Sequence, residues 1–237
     1  LPRPAMRQFD AGYDGAETPF EAPIAGVGIV LLSRLVVLAA ENDQVVIAVR
    51  LDAQAVVRLR MRAAGVLDAW ASTPFEVLVT RAVEGEIEPG DVTVSGSELL
   101  AALTVAPGER MDPGPSRDLL WRSELPAGKG WRQVDTLPAA VVADLADRGV
   151  ALARENVGPQ GTPPASLMDQ TVLTVSGDDT ELEVPMRCLF AMSGMGFVDS
   201  SVSGDVVRVT ATDAWLRLDG RYGAVVRRRH ALLPLLF

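Results

Sequence analysis

The best-patterned stretch of the sequence runs from Glu181 to Leu218 and combines helix-like and strand-like periods. Apolar residues recur at helical spacing up to Met192, and the glycine turn 193–196 ends that pattern. Two alternating segments follow, Val206–Thr210 and Ala214–Leu218, separated by three residues that predict a tight hairpin. Helix and antiparallel hairpin in one stretch predict an α+β fold with mainly antiparallel sheets and a few packed helices.

Strand-like and ambiguous segments precede that stretch. Residues 26–50 are rich in β-branched side chains and predict a buried hairpin around the turn residues 41–43. Residues 52–72 fit two structures: frequent alanines and a capping Asp52 favour a helix, whereas the alternation of Arg58, Arg60 and Arg62 favours a strand with one basic face. We expect the helix, with Ala55–Ala63 left open between the two.

The remaining segments predict short elements. Strands are expected at 75–81 and 92–94, and a helix capped by Ser97 follows them. A longer helix is predicted to start at Asp135 or Thr136, and a short helix and a strand are expected at 165–169 and 172–175.

Proline and glycine divide the chain into four parts. Residues 1–23 predict an irregular N-terminal arm, and residues 107–118 hold three prolines and two glycines, which predicts a linker. We therefore expect an α+β subdomain at 24–106 and a second one at 119–237. The length of 237 residues suits this division.

Composition restricts the classes of function. The net charge of −9 makes nucleic acid an unlikely partner, because phosphate binding depends on Lys and Arg. The longest apolar run, Gly26–Ala40, is interrupted by Arg34 and is shorter than the roughly 20 residues of a membrane span. With a single cysteine, we expect a soluble, cytoplasmic protein, and the abundance of Arg over Lys suggests a bacterial source.

Few residues in the sequence suggest chemistry. His230 is the only histidine and Cys188 the only cysteine, so a zinc site of several such ligands is ruled out. We expect His230 to be a solvated tail residue and Cys188 to be a buried, unreactive thiol.

The glycine and carboxylate patterns do not complete a known site. Glycines at 26, 28, 194 and 196 lack the third glycine of a dinucleotide fingerprint. The carboxylates at 84–91 and 178–183 lack the spacing of a calcium loop. We expect no catalytic residue, no metal and no cofactor.

One pattern suggests nucleic-acid binding. A helix through Met192, a strand at Phe197–Val198 and the hairpin after it follow the order of a winged helix, with earlier helices at 138–154 and near Ala165. The charges oppose this use, because Arg187 is the only basic residue on the expected recognition helix. Arg208 and Arg217 are the available wing residues.

The C-terminal tail is the best indication of an interface. It is too apolar to stay solvated, so we expect it to pack on this chain or on a second copy. The main hypothesis is a non-catalytic protein-binding or regulatory module that forms a homo-oligomer. The alternatives are a winged-helix nucleic-acid binder, or a small-molecule binder or enzyme with a pocket between the subdomains. The expected interface residues are Leu232, Leu233, Leu235, Leu236 and Phe237.

Deleting residues 231–237 tests the interface. We expect the truncated chain to lose its oligomeric state or its solubility, because the tail would no longer cover apolar surface. Native mass spectrometry and solubility of the two chains measure both properties. An unchanged oligomer and unchanged solubility would show that the tail is not an interface.

Overall fold

A computed structural model of the chain describes residues 52, 54–63, 65–105, 111–155, 164–177 and 180–229. These residues divide into two compact units. The first unit includes the described residues up to Pro74 and from Leu78 to Glu124. The second contains Phe75–Val77 and the described residues from Leu125 onward. The predicted linker at 107–118 stays a prediction.

The first unit is a four-stranded antiparallel sheet with one α-helix. Its elements are β1 (Val56–Ala63), β2 (Val66–Ser72), β3 (Leu78–Glu84), β4 (Asp91–Ser95), α1 (Gly96–Val105) and a 3-10 turn (Asp118–Leu120). The strands lie in the order β4-β1-β2-β3. Alternate aliphatic residues of the strands form one apolar face, which packs on Leu99 and Leu103 of α1.

Val56–Ala63 and Val66–Ser72 form strands, so the expected helix is wrong. Val57 and Leu59 are buried in the core, whereas Arg58, Arg60 and Arg62 alternate with the core residues and lie on the opposite face. This period of two fits a strand and would scatter the arginines around a helix. Gly65, with a positive φ of 76°, forms the turn between β1 and β2. The burial of alternate residues therefore outweighs the helix propensity of the alanines.

The cap of α1 also differs from the prediction. The helix starts at Gly96, and the Ser95 hydroxyl accepts a hydrogen bond from the Glu98 amide at 3.4 Å. Ser95 and Glu98 have the spacing of a capping box, whereas Ser97 lies inside the first turn.

In the second unit, four strands pair in antiparallel order, two more form a hairpin, and three helices accompany them. Its elements are β5 (Arg132–Pro138), α2 (Ala139–Glu155), α3 (Ala165–Met168), β6 (Thr171–Gly177), β7 (Thr180–Pro185), α4 (Met186–Gly194), β8 (Val206–Ala211), β9 (Trp215–Gly220) and β10 (Gly223–Arg228). The four strands lie in the order β10-β9-β8-β5, and β6 pairs with β7.

The core of the second unit lies on one face of this sheet. Helix α4 packs against α2 and β10, and seven of its residues are buried. The aliphatic residues of β8 and β9 that alternate toward the core are almost completely buried, as are Leu189, Met192 and Phe197.

Several predicted features of this unit are confirmed. The hairpin of β8 and β9 is present with Val209 opposite Leu218. The short helix α3 and strand β6 also lie where the sequence places them. The fold class, α+β with antiparallel sheets and few helices, is confirmed. The predicted N-terminal arm and the hairpin at 26–50 lie outside the described residues.

Other predicted boundaries are wrong. Residues 132–138 form β5, and α2 begins only at Ala139. Residues 180–185 form β7, because Glu181 and Glu183 alternate with buried Leu182 and Val184 at a period of two.

The order of elements is not that of a winged helix. The hairpin of β6 and β7 separates α3 from α4, and Phe197–Val198 is not in a strand. Among the described residues, no helix is long and apolar enough to cross a bilayer.

A substitution at Gly220 tests how closely β9 packs against its neighbours in the second unit. A Cβ atom at this position would overlap the Phe197 carbonyl oxygen and lie 2.9 Å from Met192 Cε. We expect Gly220→Ala to lower the free energy of unfolding by about 1–3 kcal/mol, because the overlap involves backbone that must shift. Urea denaturation followed by tryptophan fluorescence measures the change.

Gly128→Ala is the matched control. No heavy atom lies within 4 Å of a Cβ at Gly128. This substitution is expected to be neutral or to stabilise by about 0.4–1 kcal/mol through the unfolded chain. Equal stability of the two variants would contradict the packing of Gly220.

Candidate functional site

One face of β1 in the first unit carries three arginines. Arg58 donates two hydrogen bonds to Asp91, at 2.7 and 2.8 Å, and these raise the pKa of its guanidinium. Arg60 lies 3.7 Å from the same carboxylate and keeps half of its side chain exposed. Arg62 pairs with Asp68. Asp91 and Asp68 pair with these three arginines, and the charge of a third carboxylate, Asp118, also acts on Arg58.

A turn beside this face is held firmly by Asp118. Its Oδ1 accepts a hydrogen bond from the Thr93 amide at 2.7 Å, and its Oδ2 accepts one from the Ser116 hydroxyl at 2.6 Å. The Arg117 amide donates to the Thr93 carbonyl at 2.7 Å. These bonds occupy outward backbone groups of β4, whose strand partner in the first unit is β1. A bonded edge cannot add a further strand at that point.

The hydrogen bond from Ser116 lowers the pKa of the Asp118 carboxyl, with help from Thr93 and from the charge of Arg58. A lowered pKa means that the folded chain favours the carboxylate. The contribution of Asp118 to stability is therefore complete above the ordinary value of 3.8. It is lost as the pH falls below that value through the lowered pKa.

The anchored turn presents two leucines to solvent. Leu119 is 90% exposed and Leu120 is 54% exposed. The next residue, Trp121, lies against the Arg58 guanidinium, with Cζ at 5.8 Å from the ring centroid. Thr93, which holds Asp118, is directly opposite Arg58 in the sheet. Together, Leu119, Leu120, Trp121, Arg58 and Arg60 form the turn platform.

The platform exposes apolar side chains on a fixed turn. Burying a leucine side chain contributes roughly 1.5–3 kcal/mol, which these two exposed leucines do not gain in the free chain. The anchored turn holds them in place before binding, which reduces the ordering cost of association.

Arg187 in the second unit is a structural residue. Its side chain is 7% exposed and donates to the Phe75 carbonyl, to Glu76 at 2.6 Å and to Asp169 at 2.7 Å. Burial lowers the pKa of this guanidinium, but the bonds to Glu76 and Asp169 outweigh burial and raise it. Arg187 and the equally buried Arg217 are therefore not presented for groove contacts, contrary to the winged-helix hypothesis.

Cys188 is buried, as expected. Its thiol has a pKa raised to about 12 by burial, although Arg227 and Arg187 act in the opposite direction. Thiolate is the reactive form, so such a thiol is unreactive in the folded chain.

The structure does not bring together those other residues selected from the sequence that it describes. Gly196 has a positive φ of 67° in the turn after α4. Across the described ranges, no group of three or more His, Cys, Asp or Glu side chains could hold a metal ion. His230 and the tail residues 231–237 lie outside the described residues, as do Gly26, Gly28, Asp178 and Asp179.

Sequence reasoning missed the turn platform. Residues 107–118 were expected to be a linker and 119–131 an extended segment. The sequence does contain a signal for this turn. Ser116 and Asp118 are residue types whose side chains hydrogen-bond to nearby backbone in turns. Of the two structures that the sequence allows for 52–72, the strand with its arginines on one face is the one observed in β1.

Two family models match the chain, and each covers less than half of it. Residues 42–123 match a domain of unknown function, DUF8010. Residues 126–232 match a second domain of unknown function, DUF8185. Comparison with curated proteins found no match.

Solved structures with a similar fold are bacterial polymerase subunits. The DNA polymerase III subunit beta from Pseudomonas aeruginosa aligns with TM-score 0.50 and 12% identity, over 82% of this chain and 64% of that one. A DNA polymerase III beta subunit from Eubacterium rectale aligns with TM-score 0.51 and 13% identity, over 79% and 60%. This chain therefore spans less than two thirds of the length of these relatives. At such low identity the similarity is one of fold.

Replacing Asp118 tests whether the turn is anchored to β4. We expect Asp118→Ala to speed hydrogen exchange of the Thr93 amide at least tenfold, because its acceptor is removed. Two-dimensional NMR of the exchanging amides measures the rate. Asp112→Ala is the matched control, since the Asp112 carboxylate accepts a hydrogen bond from the Gly114 amide, only two residues along the chain. Unchanged exchange at Thr93 in Asp118→Ala would contradict the anchoring.

Proposed function

We propose that this protein is a binding module that contacts a protein partner through the turn platform. The observation that carries the proposal is the exposure of Leu119 and Leu120 on a turn that Asp118 fixes to β4. Scattered exposed leucines are common on protein surfaces, but an adjacent pair on an anchored turn next to a tryptophan forms a patch. Tryptophan and arginine are also enriched at the energetic centres of interfaces.

The platform suits a partner segment with apolar side chains and a carboxylate. The apolar groups would cover the two leucines, and the carboxylate would lie near Arg60, which is half-exposed and shares Asp91 with Arg58. A phosphate backbone could also approach an arginine. The net charge of −9 opposes nucleic acid as the partner, because the chain as a whole repels it.

The fold is compatible with this role. Its structural relatives are named as subunits of DNA polymerase III, which are parts of an assembly. Functions differ widely among proteins of one fold, so the platform carries the proposal and the fold is only compatible with it.

Self-association is a separate part of the proposal. The tail residues Leu232, Leu233, Leu235, Leu236 and Phe237 are proposed to form a contact with a second copy of the chain, on the basis of their apolar sequence alone. The tail and the turn platform are different surfaces, and deletion of residues 231–237 tests the tail independently.

Photo-crosslinking from position 119 tests the platform. We expect a photoreactive residue at Leu119 to give a discrete adduct with one protein in extracts of the source organism, identified by mass spectrometry. The same residue at Val105 is the matched control, because Val105 is 85% exposed and also lies in the first unit. Identical adducts at both positions, or none at Leu119, would refute the platform as a partner site.

Affinity for the purified partner gives the second measurement. Leu119→Ser and Leu120→Ser are each expected to weaken binding by about tenfold or more, because apolar contacts at the centre of an interface are lost. Val105→Ser is expected to bind normally. All three variants should unfold at the parent temperature, since the side chains are exposed in the free chain. Affinities within twofold of the parent would contradict the proposal.

A further inference from the structure

On the sheet of the second unit, the face opposite the helices carries buried polar residues on β8 and β9. Thr210 on β8 lies opposite Arg217 on β9, and Arg208 lies opposite Asp219. Thr210, Arg217 and Asp219 are 4–6% exposed. A sheet with one face on a core commonly leaves its other face in water, so charged residues at the centre of that face are usually solvated.

Two polar atoms at this centre have no hydrogen-bond partner. The Arg217 Nε–H group donates to Asp219 Oδ1 at 2.7 Å. Asp219 Oδ2 and Thr210 Oγ1 are buried and unpaired, within the part of the chain that the structure describes. Buried polar atoms are nearly always paired in native proteins, so two orphans on one sheet face require an explanation.

The two orphan atoms belong to diagonal neighbours. Thr210 is directly opposite Arg217, and Asp219 is two residues further along the same strand and on the same face. Diagonal neighbours of this kind are roughly 7–8 Å apart, which lets one small group hydrogen-bond to both side chains.

Trp131 lies over this centre. Its ring centroid is 5.9 Å from Arg217 Cζ, and its indole N–H donates to the Ala127 carbonyl at 3.2 Å. Trp131 is half-buried, on a segment without helix or strand that also contains Gly130 at a φ of +83°. Neither of these two contacts of the ring, one hydrogen bond and one stacking contact, is part of the backbone pairing of the sheet.

The charges at the centre restrict the chemistry of a ligand. An anion cannot donate a hydrogen bond to the unpaired Asp219 Oδ2, and a cation would face two guanidinium groups, those of Arg217 and of Arg208 opposite Asp219. A neutral group with a hydrogen-bond acceptor beside a donor satisfies both sides. We propose that this centre binds a primary carboxamide. Its carbonyl accepts from Arg217, and its NH₂ group donates to Asp219 Oδ2 and Thr210 Oγ1.

Titration of the full chain with acetamide tests the site. The indole signal of Trp131 in ¹H–¹⁵N spectra is assigned by its loss in Trp131→Phe. We expect a saturable shift of this signal on adding acetamide to about 100 mM, a range chosen because very small ligands bind weakly. Acetate and ethylammonium at the same concentrations should give no saturable shift. The peptide Gly-Asn-Gly distinguishes the source: tighter binding than acetamide indicates an asparagine side chain, and weaker binding indicates a free small molecule.

Thr210→Val is the decisive variant, because it removes the hydroxyl at nearly constant volume. We expect it to weaken acetamide binding by about fivefold or more while the melting temperature stays constant or rises, since an unpaired buried hydroxyl is removed. Thr80→Val is the matched control: Thr80 is also buried with an unpaired hydroxyl, but it lies in the first unit. Its acetamide affinity should equal that of the parent.

Two results would overturn the proposal. A lower melting temperature of Thr210→Val, with no saturable acetamide shift in the parent, would show a hydroxyl that serves only the fold. Acetamide binding that acetate reproduces, or that Thr210→Val leaves unchanged, would show adventitious binding only. Asp219→Asn adds a specificity test where it folds: loss of the negative charge should shift the preference from acetamide to acetate.

Discussion

Ion pairs between arginine and aspartate determine whether other parts of the chain can cover the charged face of a sheet. The aliphatic face of a sheet packs on helices, while the alternate positions carry charged side chains. A charge removed from water without a partner costs several kcal/mol, so such a face can be covered only where its charges are paired. Arg58 with Asp91 and Arg217 with Asp219 supply that pairing in the first and second unit. In each case a tryptophan lies against the arginine.

The two ion pairs differ in how completely their carboxylate oxygens are hydrogen-bonded. Asp91 accepts two hydrogen bonds from Arg58, and Arg60 lies close to the same carboxylate. Asp219 accepts from Arg217 through Oδ1, while its Oδ2 and the Thr210 hydroxyl are unpaired in the described chain. The first arrangement is a satisfied support for an exposed apolar turn. The second leaves two hydrogen-bonding atoms unpaired close to an arginine that stacks on the Trp131 ring. The proposed contact surface and the proposed small-group site thus lie in separate units.

The fold could be predicted in part. The alternation in Val206–Thr210 and Ala214–Leu218 correctly indicated a hairpin. Apolar residues at every second position are typical of a half-buried strand. The segment 52–72 was misjudged, since alanine-rich composition and alternation pointed to different structures and burial decided between them. Glu181–Pro185 was joined to the helix that follows it, because its apolar positions also fit a helical spacing.

The sequence by itself determined the charge of the chain, its few reactive side chains and the local spacing of its apolar residues. It set the acidic net charge, the single cysteine and histidine, and the alternation that places apolar side chains on one face of β1 and β7 and charged side chains on the other. These properties depend only on residue identity and local period. The tertiary structure decided which charged residues became buried partners and which leucines stayed exposed. Thr93 meets Asp118, and Arg217 meets Trp131, across distances in sequence that no local pattern encodes. The turn platform and the cluster of Thr210, Arg217 and Asp219 depend on the register of the paired strands, which brings residues distant in sequence together.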